Sequence, residues 1–505
     1  MSRVTTRPSL GASLKKLALP IVVVAITAGA TNAFGGSPKL IAIPTLEGDI
    51  ANIGRGITPD GLWVVGDSYW SAYRGFLYDV AGSNVYNVLA TGQSSTASGV
   101  CYRESGGQQQ IIVGGLAAGW NADYCFTNGS PSGAFIGSCR RDFYDTGDNH
   151  PKPVTGIANT RTSGGGDVFW GAWTEVAALN GLFAAVSRVS GDWQGQSTTV
   201  TNDYDTSTGA KSAIYGVSGT GRAVGVISGL NGCVWDWTGS GTPTVWQFNG
   251  MDGTLSEVPF AISADGTIIF GRSYSSDPIN RPHLWPYKAT FDTNMPGPAT
   301  QLSINELPGF PDTVPSAGTP GSAGLPYGCT ADGKCAVGYS YRGFETAVLW
   351  DTSNPDPAKW TVLDLMQFAT AQGIAGSFMS LDRAYSIGVT AAGDLAITGY
   401  GIIDYEQHAF LLTIPRPLSA YSVYPPTLSI SNNLSGYTFR FNSILTSPST
   451  LTPLTNYLEY TTVLSNPPTP STWTTLIATQ CNGGLTTVVD PNPTDAQRFY
   501  RIRTQ

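Results

Sequence analysis

Two cysteines six positions apart, Cys329 and Cys335 in "GCTADGKCAVGY", flank an Asp-Gly turn. That spacing could serve a redox pair, a metal clip or a link between two strands. Gly66-Asp67-Ser68 has the residue order that holds a serine nucleophile in one class of hydrolases. Asp60, Asp265 and Asp332 could be imagined as the acid and base of glycoside hydrolysis, which needs carboxylates at a defined separation. In "NDYDTSTG", residues 202–209, Asp203, Asp205 and Ser207 alternate as the oxygen ligands of a calcium loop do. The chain has only 3 histidines, His150, His283 and His408, and none stands near another or beside a cysteine pair. A zinc site or a Ser/His engine is therefore not expected.

Each of these signals weakens when set beside its neighbours in sequence. Ser68 ends a strand-like stretch whose sisters read "FGRSYS" and "VGYSYRG". No late Asp/His pair accompanies it, so it reads as a strand residue. The three aspartates each precede glycine in a turn, where a short acceptor side chain and a positive φ are wanted. Thr208 stands where a helix-loop calcium site needs glycine, so Asp203, Asp205 and Ser207 read as a polar surface loop, with calcium the single cofactor candidate.

The elements that would position such residues are short strands. With 61 Gly, 33 Pro and only 12% charged residues in 505, and no long run of helix formers, composition favours strands joined by many turns. From Gly56, "GITPDGLWVVGDSYWSAYRGFLYD" combines a small polar turn, a strand ending in glycine, and a second strand closing on aromatics. The pattern returns from Ala261, Gly328 and Gly388, and more weakly from Gly99, Gly156 and Tyr215. Between Ile57 and Val389 the seven copies step by about 55 residues, which suits a four-stranded propeller blade. The expected fold is all-β: a β-propeller over residues 34–418, with seven blades and with six or eight also compatible, and a small β-sandwich over 419–505. A short helix is expected within "LDLMQFATAQGI", residues 363–374.

Arg3, Arg7, Lys15 and Lys16 precede an apolar run, 17–26, and small residues follow up to Ala33. This reads as a cleaved export signal over 1–33, with no membrane span in the mature chain. Losing four cations deepens a formal charge already at −8, which repels phosphate backbones and argues against nucleic-acid partners. Seven cysteines in an exported chain make disulfides possible. If the loop of the third strong copy is the three residues Ala331-Asp332-Gly333, Cys329 directly opposes Cys335. A cross-strand disulfide is then expected in preference to two buried thiols.

The copies resemble the HAF-repeat extracellular proteins of bacteria, whose repeat runs from an apolar residue and an Asp-Gly turn through Val-Gly to His-Ala-Phe. The matching turns are Thr58-Pro59-Asp60-Gly61, Ser263-Ala264-Asp265-Gly266 and Thr330-Ala331-Asp332-Gly333; the triplet survives as His408-Ala409-Phe410. The C-terminal "STWTTL" and "DAQRFYRIR" look like the terminal immunoglobulin- or fibronectin-like module of many secreted proteins. The resemblance implies export and a propeller-like architecture, and carries over no catalytic residue. The expected function is non-catalytic recognition of a glycan or protein at the cell surface, with tryptophan and tyrosine faces on loops as binding groups. The alternative is a polysaccharide-acting hydrolase or lyase using Asp142, Asp145 and Asp148 on an insert loop.

Overall fold

The computed structural model describes residues 37–88, most of 94–117, 212–274, 284–310 and 324–416, and elsewhere the backbone of individual strands. The chain is all-β and propeller-like. Seven four-stranded antiparallel sheets lie among the described residues, at 51–87 (sheet 1), 95–142 (sheet 2), 154–204 (sheet 3), 212–247 (sheet 4), 257–306 (sheet 5), 324–364 (sheet 6) and 380–414 (sheet 7). The first six are meanders in chain order. In sheet 7 the fourth strand is Lys39–Ala42, from the other end of the chain, paired to Glu406–Ile414.

The first strands of consecutive sheets touch one another in order from sheet 1 to sheet 7, and the last touches the first again. This is the geometry by which sheets too narrow to bury both faces alone make a continuous core. The core lies between sheets: Phe270 and Ala261 of sheet 5 pack on Ala336, Val348 and Trp350 of sheet 6, all buried. The aromatics that close the third strands, Tyr78, Trp235 and Trp350, are among the most buried side chains. Trp285 is the exception: it pairs with Ser273 at the opposite end of its strand, and Ala289, opposite Ile269, holds the equivalent place.

Asn52, fully buried in sheet 1, lies where the two ends of the chain meet. Its Nδ2 donates to the carbonyls of Ile43 (2.9 Å) and Pro44 (3.1 Å), while its Oδ1 accepts the Ala409 N–H at 2.7 Å. One amide thus joins sheet 1 to the third strand of sheet 7 and to the segment that follows Lys39–Ala42. Ala409 and Phe410 of the His-Ala-Phe triplet are core residues there.

The expected helix is present as α1 (Leu365–Ala371), with Asp364 at its N-cap accepting the Gln367 N–H. C-terminal to the propeller-like part, two three-stranded sheets comprise strands Ser429–Asn433, Gly436–Asn442 and Leu485–Asp490, and strands Thr474–Gln480, Thr455–Thr461 and Phe499–Thr504. Residues 1–33 lie outside the described residues.

The expected Cys329–Cys335 disulfide is corrected by the register. Cys329 pairs with Ala336, and the Thr330 N–H donates to the Cys335 carbonyl, so the loop holds four residues rather than three. Adjacent residues of a strand face opposite sides of the sheet. Cys335 therefore packs with Val337 and Leu349 on one side, while Cys329 packs with Ala336 and Trp350 on the other. Both are free thiols, and burial pushes each up to about 12, which makes them poor nucleophiles.

Candidate functional site

The Asp-Gly turns are held mainly from within, with the Tyr102 hydroxyl of sheet 2 also donating to Asp60 at 3.0 Å. The Thr58, Ser263 and Thr330 hydroxyls donate to Asp60, Asp265 and Asp332 (2.7, 2.5 and 2.6 Å) and accept the N–H groups of Trp63, Ile268 and Cys335 (3.0, 2.9 and 3.1 Å). Each aspartate also accepts the N–H two residues on, from Leu62, Thr267 and Lys334. The following Gly61, Gly266 and Gly333 have φ of 75, 72 and 62°. In the seventh sheet the turn is Ala391-Ala392-Gly393, without aspartate, and the loop shortens by one residue so that Val389 pairs with Leu395. The carboxylate is what holds the longer loop open. These aspartates are turn formers in three separate sheets and share no site.

Ser68 is likewise spent. It is fully buried, and its hydroxyl accepts the Leu46 N–H at 3.1 Å. His408 lies within Glu406–Ile414 opposite Gly401, where burial lowers its pKa. His150, His283, Asp145, Asp148, Asp205 and Ser207 lie outside the described residues, as do the side chains of Asp142 and Asp203.

A different set of residues converges. Every first strand carries a β-bulge at the same place, with Arg55, Ser98, Thr155, Tyr215, Phe260, Tyr327 and Tyr385 as the extra residues, and that of sheet 7 has a second at Asp382. A bulge leaves its residue unpaired and re-aims the side chain. Here the effect is consistent: Arg55, Tyr215, Phe260, Tyr327 and Tyr385 are all half-buried within strands whose neighbouring residues are mostly buried. They form one contiguous wall. Tyr215 stacks on Phe260 (5.0 Å between centroids), Phe260 meets Tyr327 edge-on (5.9 Å), Tyr327 lies 4.8 Å from Tyr385, and the Arg55 guanidinium sits 5.0 Å over the Tyr385 ring.

The strand glycines of the repeat are explained by this bulge. A Cβ on Gly66 would lie 1.9 Å from the Ile53 carbonyl oxygen, and one on Gly338 would lie 1.9 Å from that of Leu325. The bulge presses the first strand's backbone onto the second at that point, which is glycine in six sheets and the next smallest residue, Ala172, in sheet 3.

One residue beyond each such position lies a second layer: Asp67, Leu116, Trp173, Val226, Arg272, Tyr339 and Tyr400. Tyr339 contacts Tyr327 (6.0 Å) and Tyr400 stacks beside Tyr385 (6.2 Å). Asp67 accepts from Arg55 Nε at 3.1 Å and from the Ala97 N–H at 3.1 Å. Arg383 holds both oxygens of Glu345 (2.5 and 2.6 Å), lies 5.3 Å over the Tyr339 ring and points Nη1 at the Tyr327 hydroxyl (3.5 Å). Burial raises the phenols of Tyr215, Tyr327, Tyr339 and Tyr400, so they stay neutral and can donate or accept.

Large exposed side chains gather at the ends of sheets 1, 6 and 7 opposite the first-to-second-strand turns. They are Trp70 (65% exposed), Tyr73, Tyr341, Met379 and Tyr405 (86%). Tyr405 and Asp404 form a two-residue hairpin turn at φ of 70 and 49°, where Asn-Gly is the usual choice. An aromatic at positive φ costs about 1 kcal/mol, so the turn spends stability to hold Tyr405 out.

Five of the seven copies, from Gly56, Gly99, Gly156, Ala261 and Gly328, begin just after the bulged residue, so this collar of bulged residues falls outside them. The signal was one residue earlier: Arg-Gly, Ser-Gly, Thr-Gly, Tyr-Gly, Phe-Ala, Tyr-Gly and Tyr-Ser. That place changes from copy to copy while its surroundings repeat.

No protein-family model matches the chain, and no curated protein matches it. Among solved structures it is similar to the WD40 repeats of RRP9, at 12% identity and a TM-score of 0.43, covering 75% of this chain and 99% of that one. It is also similar to an oligogalacturonate lyase in complex with manganese (10%, 0.40, covering 76% and 99%) and to a periplasmic gluconolactonase of Pseudomonas aeruginosa (10%, 0.41, covering 72% and 99%). At such identities and scores no activity passes from these proteins to this chain.

Proposed function

We propose that this chain is an exported, non-catalytic recognition protein of the HAF-repeat kind, and that its aromatic collar binds saccharide. In this reading the seven four-stranded sheets are seven blades of one propeller, closed by Lys39–Ala42. The two three-stranded sheets form a C-terminal sandwich. The N-terminal basic and apolar stretch is the export signal.

The observation that carries the reading is the wall Tyr215–Phe260–Tyr327–Tyr385–Arg55, built from bulged residues that remain partly accessible inside an otherwise closed core. Aromatic faces stack on the apolar faces of sugar rings, while neutral phenols and guanidinium N–H groups meet ring hydroxyls. Carboxylates near the wall are engaged in other work: Asp67 with Arg55 and Glu345 with Arg383. That favours binding over acid/base turnover. Trp70, Tyr73, Tyr341 and Tyr405 extend the aromatic surface at the same end of their sheets.

The test is a glycan array paired with reducing-sugar assays on the same ligands. Binding without turnover, weakened about tenfold by Tyr327→Ala, is the expected result. Turnover abolished by a single carboxylate substitution would overturn it.

A further inference from the structure

The first strand of sheet 7 has a feature that the other six first strands lack. Besides the bulge at Tyr385 it carries the second one, at Asp382, near the start of Ser380–Val389. Bulges re-aim side chains, so one strand supplies both an aromatic of the wall and a re-aimed carboxylate. Asp382 is half-buried, accepts the Ser380 hydroxyl at 2.6 Å and lies in electrostatic contact with Glu345, Arg383 and the Tyr400 phenol.

The result is a triad, Asp382–Arg383–Glu345, set against the phenols of the wall. Arg383 grips Glu345 of sheet 6 through Nε and Nη2, directs Nη1 at the Tyr327 hydroxyl and shares a hydrogen bond with Tyr385. Glu345 pairs across the strands with Tyr341, one of the exposed aromatics, so the triad lies between the wall and the open end of sheets 6 and 7. Arg383 and Glu345 are equally accessible, each side chain 31% exposed. The pair Arg55–Asp67 differs: its carboxylate is only 5% exposed, so it presents its cation alone.

A carboxylate that holds a guanidinium on both oxygens keeps lone pairs for further donors, and the guanidinium has more N–H groups than the pair uses. An accessible pair of this kind offers an acceptor and a donor side by side, the complement of two adjacent hydroxyls. The aromatic faces beside it supply the apolar contact that a sugar ring needs. With two carboxylates to one guanidinium, the triad works against an anionic sugar. We infer that Arg383 and Glu345 read a vicinal diol of a neutral saccharide whose ring lies on Tyr327 and Tyr385, and that Asp382 biases the site against acidic sugars. This rests on the saccharide reading of the collar and adds its polar contact and its charge class.

The full chain is titrated calorimetrically with three probes: cellohexaose, mannohexaose and a galacturonate hexamer. At least one neutral hexamer should bind about tenfold or more tightly than the galacturonate hexamer at low salt, and the gap should narrow as salt screens the carboxylates. The tighter of the two neutral ligands gives the geometry of the diol, trans in cellohexaose and cis in mannohexaose. Glu345→Gln should weaken that neutral hexamer about tenfold and strengthen the galacturonate hexamer. A disturbed fold would weaken both, so the opposite signs mark direct contact. Asp382→Asn should likewise strengthen the galacturonate hexamer. Galacturonate bound as tightly as the neutral hexamers, Glu345→Gln weakening all three alike, or galacturonate affinity that neither variant raises, overturns the diol inference and leaves the saccharide reading standing. Binding of none of the three overturns both.

Discussion

Two ends of the same hairpin behave in opposite ways. At one end, the Asp60, Asp265 and Asp332 turns are chemically alike, and each carboxylate accepts from its own turn's hydroxyl and N–H, Asp60 also from the Tyr102 hydroxyl of the next sheet. In the middle of the first strand, the bulge places five residue types in seven sheets, tyrosine in three of them, and leaves the described side chains half-accessible. Repetition here marks what the architecture requires, and variation at an accessible position marks what a ligand could read. The titratable groups that first drew notice, the aspartates of the turns, belong to the repeating class.

Asn52 is the sharpest challenge to that rule, since it does not repeat and yet is fully buried. Its role follows from closure, which happens only once. Asn52→Ala removes three hydrogen bonds and leaves two buried backbone groups, of Ile43 and Ala409, and the carbonyl of the exposed Pro44 without it. A loss of about 3 kcal/mol in urea unfolding is expected. A loss below about 1 kcal/mol would show that the strand Lys39–Ala42 is held by other means.

Next in size, Gly338→Ala drives a Cβ into the Leu325 carbonyl and should cost on the order of 2 kcal/mol. The same change at Gly393, where a Cβ meets no atom within 4 Å, tests turn strain alone, since its φ is 88°. It should cost only about 1 kcal/mol. Equal losses would mean that the bulge does not press the strands together.

Smaller again, Thr330→Val removes one hydroxyl that both donates to Asp332 and accepts from Cys335. About 1 kcal/mol of stability should go, with saccharide binding unchanged. A binding defect from this turn variant would erase the distinction between the two ends.

The smallest effect is on pH. Burial alone would raise Asp265 and Asp332, but the hydroxyls of Ser263 and Thr330 and the N–H groups of Thr267 and Lys334 outweigh it and hold both below the ordinary carboxylate value. A depressed folded-state pKa adds stability above the unfolded value, and that stability is lost as pH falls through the folded one. The double variant Asp265→Asn, Asp332→Asn should therefore lose less stability than wild type between neutral pH and about pH 3. An unchanged acid slope would contradict the turn account.

Much of the architecture was legible in the sequence because it repeats. Thr/Ser-x-Asp-Gly and Val-Gly are local requirements of a loop and a close strand approach, so each copy that carries them states them independently. The fourth strands, such as Thr361–Asp364, were not legible, because outer strands answer to little beyond pairing and vary freely. Cys329 and Cys335 were misjudged over a single residue of loop length, which turns one side chain to the opposite face. The collar was missed for a related reason: a bulge is a register event between strands, and no window along one strand displays it.

The central claim is that the bulged residues, rather than the repeated turns, are the recognition site. It is tested most directly by comparing saccharide affinity in two double variants, both confirmed folded by circular dichroism: Tyr327→Ala with Tyr385→Ala, and Thr330→Val with Asp332→Ala. The account predicts that the collar variant loses binding while the turn variant binds as wild type despite a lower unfolding midpoint. Full binding by the collar variant, or loss confined to the turn variant, would contradict it.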